Sequence, residues 1–367
     1  MFKCNGRYED DLKEYNEKIL EKYGVTGQAS EREMMCMADE GNTVALKLYA
    51  DMIFYKKILR KNYYRDAFEL YMKAAGMTVD EEGNWECSGD SYPLSFWGIG
   101  YYLVNYKRES VLKNCETIEI IENMTLGERM KLALQMAVHC LDFESAAGAI
   151  NLVGRILYEA SKNEELFNIL QPVIQKNVID HEFVEVEFEI SECNSMKDAA
   201  ELAETFFISA AQEGYVFACN SLASKEAGRI ISMKKEYDKA SAGKAEEENS
   251  KLPEDISESI MNYICFLKLA ADKYEPYAAN RLGLFYATGE IISGEDKVAF
   301  RDYIDYSLAK EYFLKATVYP DSNSAWAYFN LMKFFPKMYD RDIELMNEHM
   351  DYIKVLNPKV YDDAMEL

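Results

Sequence analysis

The chain has 367 residues, 49% of them hydrophobic and only 7 of them proline, which argues against global disorder and favours helix. A formal net charge of −23 repels nucleic-acid phosphates and anionic membranes and favours basic partners. No run of 18 apolar residues occurs, so no membrane span is expected, and the start "MFKCNGRYEDDLKEYNEKIL" lacks the apolar stretch of a secretory leader.

Residues 8–23 read as a polar amphipathic helix. Next comes "MADEGNTVALKLYAD" (37–51), with small or turn residues Gly41, Ala45 and Ala50 around Tyr49. "RDAFELYMKAAG" (65–76) puts Ala67, Leu70, Tyr71 and Ala74 on one helical face. The polar stretch 78–92, with Gly83 and Gly89, reads as a surface loop or short hairpin. "YPLSFWGIGYY" (92–102) returns to the first pattern with Trp97, Gly98 and Tyr101, and "GERMKLALQMAV" (127–138) to the second. "ESAAGAINLVGRILY" (144–158) gives Ala149, Val153 and Gly154. Residues 181–191 alternate Val184, Val186, Phe188 and Ile190 with glutamates; helix is the favoured reading and a strand with an edge open to a partner peptide the alternative.

The two patterns continue as "AELAETFFISAA" (200–211) and "AAQEGYVFACNSLAS" (210–224), the latter with Gly214, Ala218, Leu222 and Ala223. Residues 240–257 are small and charged and end near Pro253, which suits a linker. "IMNYICFLKLAA" (260–271) leads into "AADKYEPYAANRLGLFYATGE" (270–290). There Ala270, Ala271, Ala278 and Gly283 are small, Leu282, Phe285 and Tyr286 are large, Pro276 opens a helix and Gly289 ends it. Residues 289–305 read as a longer turn; "SLAKEYFLKATV" (307–318) and "DSNSAWAYFNLM" (321–332, with Ala325 and Phe329) form a last pair. A polar helix over 341–356, followed by Pro358, resembles an end cap.

The unit is therefore helix–turn–helix. A lone helical hairpin cannot cover its apolar face, whereas stacked hairpins share a continuous core. The expected fold is all-α: an α-solenoid of about six stacked units with irregular insertions and terminal capping helices. The expected organisation is an N-terminal cap over 1–29, repeats over 30–238, a charged linker or loop over 239–257, further repeats over 258–335 and a C-terminal cap over 336–367. "AFELYMKAAG", "AAQEGYVFACNSLA" and "AADKYEPYAANRLGLFYATG" together resemble the Sel-like repeat of the tetratricopeptide-repeat superfamily. Two departures stand out: the units are spaced unevenly, and Tyr274 sits where the pattern has a turn glycine. The resemblance implies a non-catalytic adaptor or regulatory scaffold that holds a protein or peptide on a concave face.

No catalytic, metal-binding or cofactor-binding motif is visible, so no cofactor and no enzyme activity are expected. The three histidines, His139, His181 and His349, lie far apart, and His139 reads as a packed helical residue. The eight cysteines show no zinc spacing; Cys140, Cys219 and Cys265 fall among apolar helical residues and read as reduced core thiols of a cytoplasmic protein. One column is the candidate groove: Asn151, Asn220 and Asn280 occupy the same place in three consecutive copies, about 200° from the packed stripe. Asparagine can grip a peptide backbone as donor and acceptor. Arg281 and Lys225 would add charge selection and Tyr101 an aromatic contact. The expected partner is a protein or peptide with a basic surface, without direct nucleic-acid or membrane binding. The alternative function is an acidic nucleic-acid mimic, or an accessory or inhibitory subunit of a nucleic-acid-processing enzyme.

Overall fold

The computed structural model describes residues 27–55, 58–60, 62–79, 85–87, 91–105, 121, 123–143, 146–179, 192–241, 252–340 and 342–367. The helix expected over 8–23, the 181–191 stretch and the middle of the expected linker (242–251) lie outside these residues. The chain divides into two compact units, Met1–Tyr215 and Val216–Leu367.

In the first unit the helices are α1 (Gly27–Asp39), α2 (Thr43–Phe54), α3 (Tyr63–Ala74), α4 (Ser95–Val104), α5 (Leu126–His139), α6 (Ala147–Ala160), α7 (Glu164–Asn177) and α8 (Met196–Gln212). A short antiparallel ladder, β1 (Met77–Val79) with β2 (Trp85–Cys87), pairs Met77 with Cys87. In the second unit α9 (Val216–Ser241), α10 (Glu254–Ala271) and α11 (Pro276–Thr288) lead to the hairpin β3 (Glu290–Ser293) and β4 (Asp296–Ala299). Then follow α12 (Tyr306–Lys315), α13 (Ser324–Phe334), α14 (Ile343–Leu356) and α15 (Pro358–Ala364). All six copies of the first pattern and all five of the second are helices. Each unit is all-α in architecture, its hairpins stacked in solenoid fashion: α2 packs on α3, α4 on α5 and α6 on α8, then α9 on α10 and α11 on α12.

The capping chemistry follows the sequence. Thr125 and Glu128 form a reciprocal capping box at α5, as Ser195 and Asp198 do at α8. Glu275 caps α11 through the amides of Tyr277 and Ala278, ahead of Pro276 in the first turn.

The small residues set the spacing between helices. Ala149, Ala218, Ala278 and Ala325 are completely buried. At three places an aromatic ring rests directly on glycine backbone. A Cβ on Gly98 would lie 2.5 Å from the Tyr71 ring, on Gly154 2.7 Å from Phe207, and on Gly283 2.5 Å from Phe313. Real Cβ atoms do not approach so closely, so no larger residue fits without displacing the ring. Tyr71, Phe207 and Phe313 each stand three residues before an alanine, Ala74, Ala210 and Ala316, all buried. The same sequence offset thus places a ring on glycine within the α6–α8 and α11–α12 hairpins and, for Tyr71 and Gly98, between the α2–α3 hairpin and the α4–α5 hairpin. Burial of each such ring stabilises by about 1.5–3 kcal/mol.

The turn that leads into α2, α9 and α11 also repeats. The amides of Gly41, Gly214 and Tyr274 each donate to a carbonyl three residues back, those of Ala38, Ala211 and Ala271, at 2.9 Å. All three have positive φ, 85° for both glycines and 60° for Tyr274. A non-glycine residue there costs about 1–2 kcal/mol.

Two features depart from the expected elements. The 289–305 stretch is not merely a long turn. Gly289, with φ 71°, closes α11, and Gly294, with φ 62°, makes the tip of the β3–β4 hairpin, which packs against α9 and α11. The wide gap between the third and fourth copies holds an added helix, α7, packed on α5 and α6. Its Pro172 lies inside the helix, which a pattern reading discounts as helical.

The last helices of the second unit pack on α13 around a buried polar pair. The Tyr339 hydroxyl and His349 Nδ1 are 2.8 Å apart, and the Tyr328 ring lies 4.6 Å from the imidazole. Burial lowers the His349 pKa from its ordinary 6.5, against the opposing pull of Glu348. A neutral imidazole with its proton on Nε2 accepts the Tyr339 bond; an imidazolium cannot.

Two outcomes follow from this packing. Gly283→Ala should destabilise the protein by about 1–3 kcal/mol in denaturant unfolding, with partial recovery in Gly283→Ala/Phe313→Leu. Unchanged stability would mean that the ring does not press on Gly283. For His349 the unfolded chain takes up its proton more readily than the folded one. Its stability contribution is therefore present above pH 6.5 and lost as pH falls below it. His349→Phe should flatten that part of the stability–pH curve; an unaltered slope would remove His349 as its source.

Candidate partner-binding surface

In the first unit, α2, α4 and α6 bring aromatic and charged side chains onto one surface. Lys47 and Asp51, one turn apart on α2, form an ion pair, and Tyr71 donates its hydroxyl to Asp51 Oδ1 at 2.7 Å. Burial raises the Asp51 pKa, while Lys47 and the Tyr71 hydroxyl pull it down. Lys47 Nζ lies 5.8 Å from the Trp97 ring centre. Phe54, at the end of α2, is edge-on to both Tyr55 and Tyr101 at 5.1 Å, and Tyr55 stacks on Trp97 at 6.4 Å.

Arg155 of α6 completes the group. Its guanidinium lies 5.0 Å from the Tyr101 ring and donates to Asn105 Oδ1 at 2.6 Å. Among the described residues no carboxylate pairs with it. Tyr55 and Tyr215 share a hydrogen bond between their hydroxyls, and burial pushes both phenols above their ordinary range. Tyr55, Tyr101, Arg155 and Tyr215 all remain partly open to solvent. Rigid amphipathic rings beside a guanidinium are the side chains that dominate protein interfaces. The surface has donors, acceptors and π-faces, but among the described residues no nucleophile–base pair. Among the described residues there is also no group of side chains able to hold a metal.

The six residues expected to line a groove divide between the two units. Tyr101 belongs to the surface above. Asn151, on α6 of the same unit, is only 4% exposed. Asn220, Lys225, Asn280 and Arg281 lie in the second unit. Asn220 Nδ2 donates to Glu275 Oε2 at 2.9 Å, and Asn280 Oδ1 accepts from Asn330 Nδ2 at 3.0 Å. The expectation that this column points away from packing is therefore corrected. A helix in a stack is covered on two sides, by its hairpin partner and by the next pair, so the face opposite the apolar stripe is also a joint. Arg281 donates to the Ile292 carbonyl of β3 at 2.6 Å and bonds the Tyr263 hydroxyl, so the hairpin engages it. Lys225 is half-buried on α9.

Further expectations change in the same way. His139 is exposed at the end of α5, although its ring is edge-on to Phe96 at 4.9 Å. Cys140 and Cys219 are buried thiols, but Cys265 faces solvent. Arg155, Asp51 and Tyr215 were not singled out by the sequence, and Trp97 only as a member of the repeat pattern. The available signal was charge at Lys47, Asp51 and Arg155 within otherwise small-and-apolar helices.

Neither a family model nor a curated protein matches the chain. Among solved structures, the chain is similar to c5321, a protective antigen present in uropathogenic Escherichia coli strains displaying an SLR fold. The identity is 13% and the TM-score 0.27, over 97% of this chain and 63% of that one. The chain thus spans less than two thirds of that protein's length. The helical-repeat architecture stated here rests on the packing itself. Among the described residues no helix is long and apolar enough to cross a membrane.

The joint role of Asn220 gives a direct check. Glu275 is 5% exposed, and its carboxylate depends on the Asn220 amide and two backbone amides. Asn220→Ala should cost about 1–3 kcal/mol in denaturant unfolding, because a buried carboxylate loses a donor. A cost below about 0.5 kcal/mol would return Asn220 to the class of open surface residues.

Proposed function

We propose that the chain is a non-catalytic scaffold of the Sel-like repeat type, a cytoplasmic adaptor or regulatory subunit that binds a protein or peptide with a basic surface. The observation that carries this reading is the Tyr55–Trp97–Tyr101–Arg155 surface of the first unit. Its rings are held by α2, α4 and α6 and by one another, so little side-chain freedom is lost on contact. Preorganised aromatic and guanidinium groups suit a backbone or side chain laid across the helices. Of the residues expected from the sequence, Tyr101 is the one this proposal includes. The net charge of −23 speeds encounter with basic partners and disfavours acidic ones.

The test begins with a partner recovered by affinity purification and then made pure. Tyr101→Ala/Arg155→Ala should weaken its binding by about tenfold or more, with helix content unchanged. A purified partner that binds the double variant as tightly as the parent would overturn the assignment of this surface.

A further inference from the structure

Tyr274 stands in a backbone conformation that its counterparts Gly41 and Gly214 adopt without strain, and it is the only non-glycine residue with positive φ among those described. Nothing in the turn requires a tyrosine: the hydrogen bond its amide makes is the one the glycines make. What the tyrosine adds is its ring, on a residue that is 42% exposed. The ring is edge-on to Tyr319 at 5.5 Å. On another side lies Lys315 Nζ, 5.6 Å from the Tyr274 centroid and 5.9 Å from that of Tyr312. Lys315 bonds to Asp272 Oδ1 at 2.7 Å, and the Asp272 side chain is 51% exposed. The chain's own ammonium therefore already rests between tyrosine rings and a carboxylate. Among the described residues the second oxygen of Asp272 makes no bond, and Tyr274 is exposed.

We propose that Tyr274, Tyr319 and Asp272 form a docking site for an arginine side chain in a basic segment of a partner protein. The guanidinium would lie on the exposed Tyr274 ring and donate to the free Asp272 oxygen. Arginine suits the site better than lysine because its planar group stacks on a ring while its N–H fork meets a carboxylate. The charge of the whole chain, −23, favours the same occupant. The site lies in the second unit, and its use rests on the scaffold reading above.

The probe is a tetra-arginine peptide capped at both ends, titrated calorimetrically into the full chain at low ionic strength, with capped tetra-glutamate as control. The parent should bind tetra-arginine and not tetra-glutamate. Tyr274→Gly should bind about threefold to fivefold more weakly, yet melt at a higher temperature because the left-handed turn is relieved. Tyr274→Phe should keep the parent affinity, since the ring remains, and Asp272→Asn should bind more weakly. The proposal is overturned if tetra-arginine does not bind, if tetra-glutamate binds equally, or if Tyr274→Gly binds as the parent does. If Tyr274→Gly does not fold, Asp272→Asn decides: unchanged affinity overturns the proposal. Binding of the purified partner is measured separately. A partner still held through Tyr101 and Arg155, with no binding of tetra-arginine, would sink this site and leave the scaffold reading in place.

Discussion

The contact of an aromatic ring with bare glycine backbone sets the distance between paired helices. Phe207 on Gly154 and Phe313 on Gly283 leave no room for even a methyl group. That proximity turns two marginal helices into one packed hairpin, since neither could stay folded in water alone. It also fixes the rotation of each helix about its axis. Once the glycine faces the ring, every other position on the helix has a determined neighbour.

The surfaces follow from that rotation. With Gly98 turned toward Tyr71, the α4 residue Tyr101, three positions on, comes onto the surface beside Phe54 and Arg155. With Gly283 turned toward Phe313, Asn280 is carried into the joint with α13, where Asn330 meets it. The same helical geometry thus gives one polar residue to a half-open surface and another to a joint between helices. The amide bonds across these joints, Asn220 to Glu275 and Asn330 to Asn280, give the stack a definite register as well as stability.

The helices and the identity of the small and large positions were legible in the sequence, because helical periodicity and glycine turns are local signals; their pairing was not, since each helix of the second pattern packs chiefly on the copy of the first pattern that precedes it and not on the one that follows. Ala218, Ala278, Leu282 and Phe285 are buried as their spacing implies. The side of the helix bearing Asn151, Asn220 and Asn280 was misjudged because a single helix does not reveal that it is covered twice. Arg281 was misjudged for a related reason: its partner is a carbonyl of an inserted hairpin eleven residues on, and no local pattern marks it. The Tyr55–Tyr101–Arg155 surface was only half visible. Tyr55 and Tyr101 belong to an abundant residue type, and their meeting with Arg155 depends on packing across three helices. Tyr274 was legible as an anomaly, though only its φ of 60° shows what it costs.

Native-state hydrogen exchange on α11 and α12 tests the central claim most directly. If ring-on-glycine contact makes the hairpin a single packed element, the slowest amides of both helices should open with one common free energy and the same dependence on denaturant. Distinct opening energies, with one helix exchanging while the other stays protected, would contradict the account.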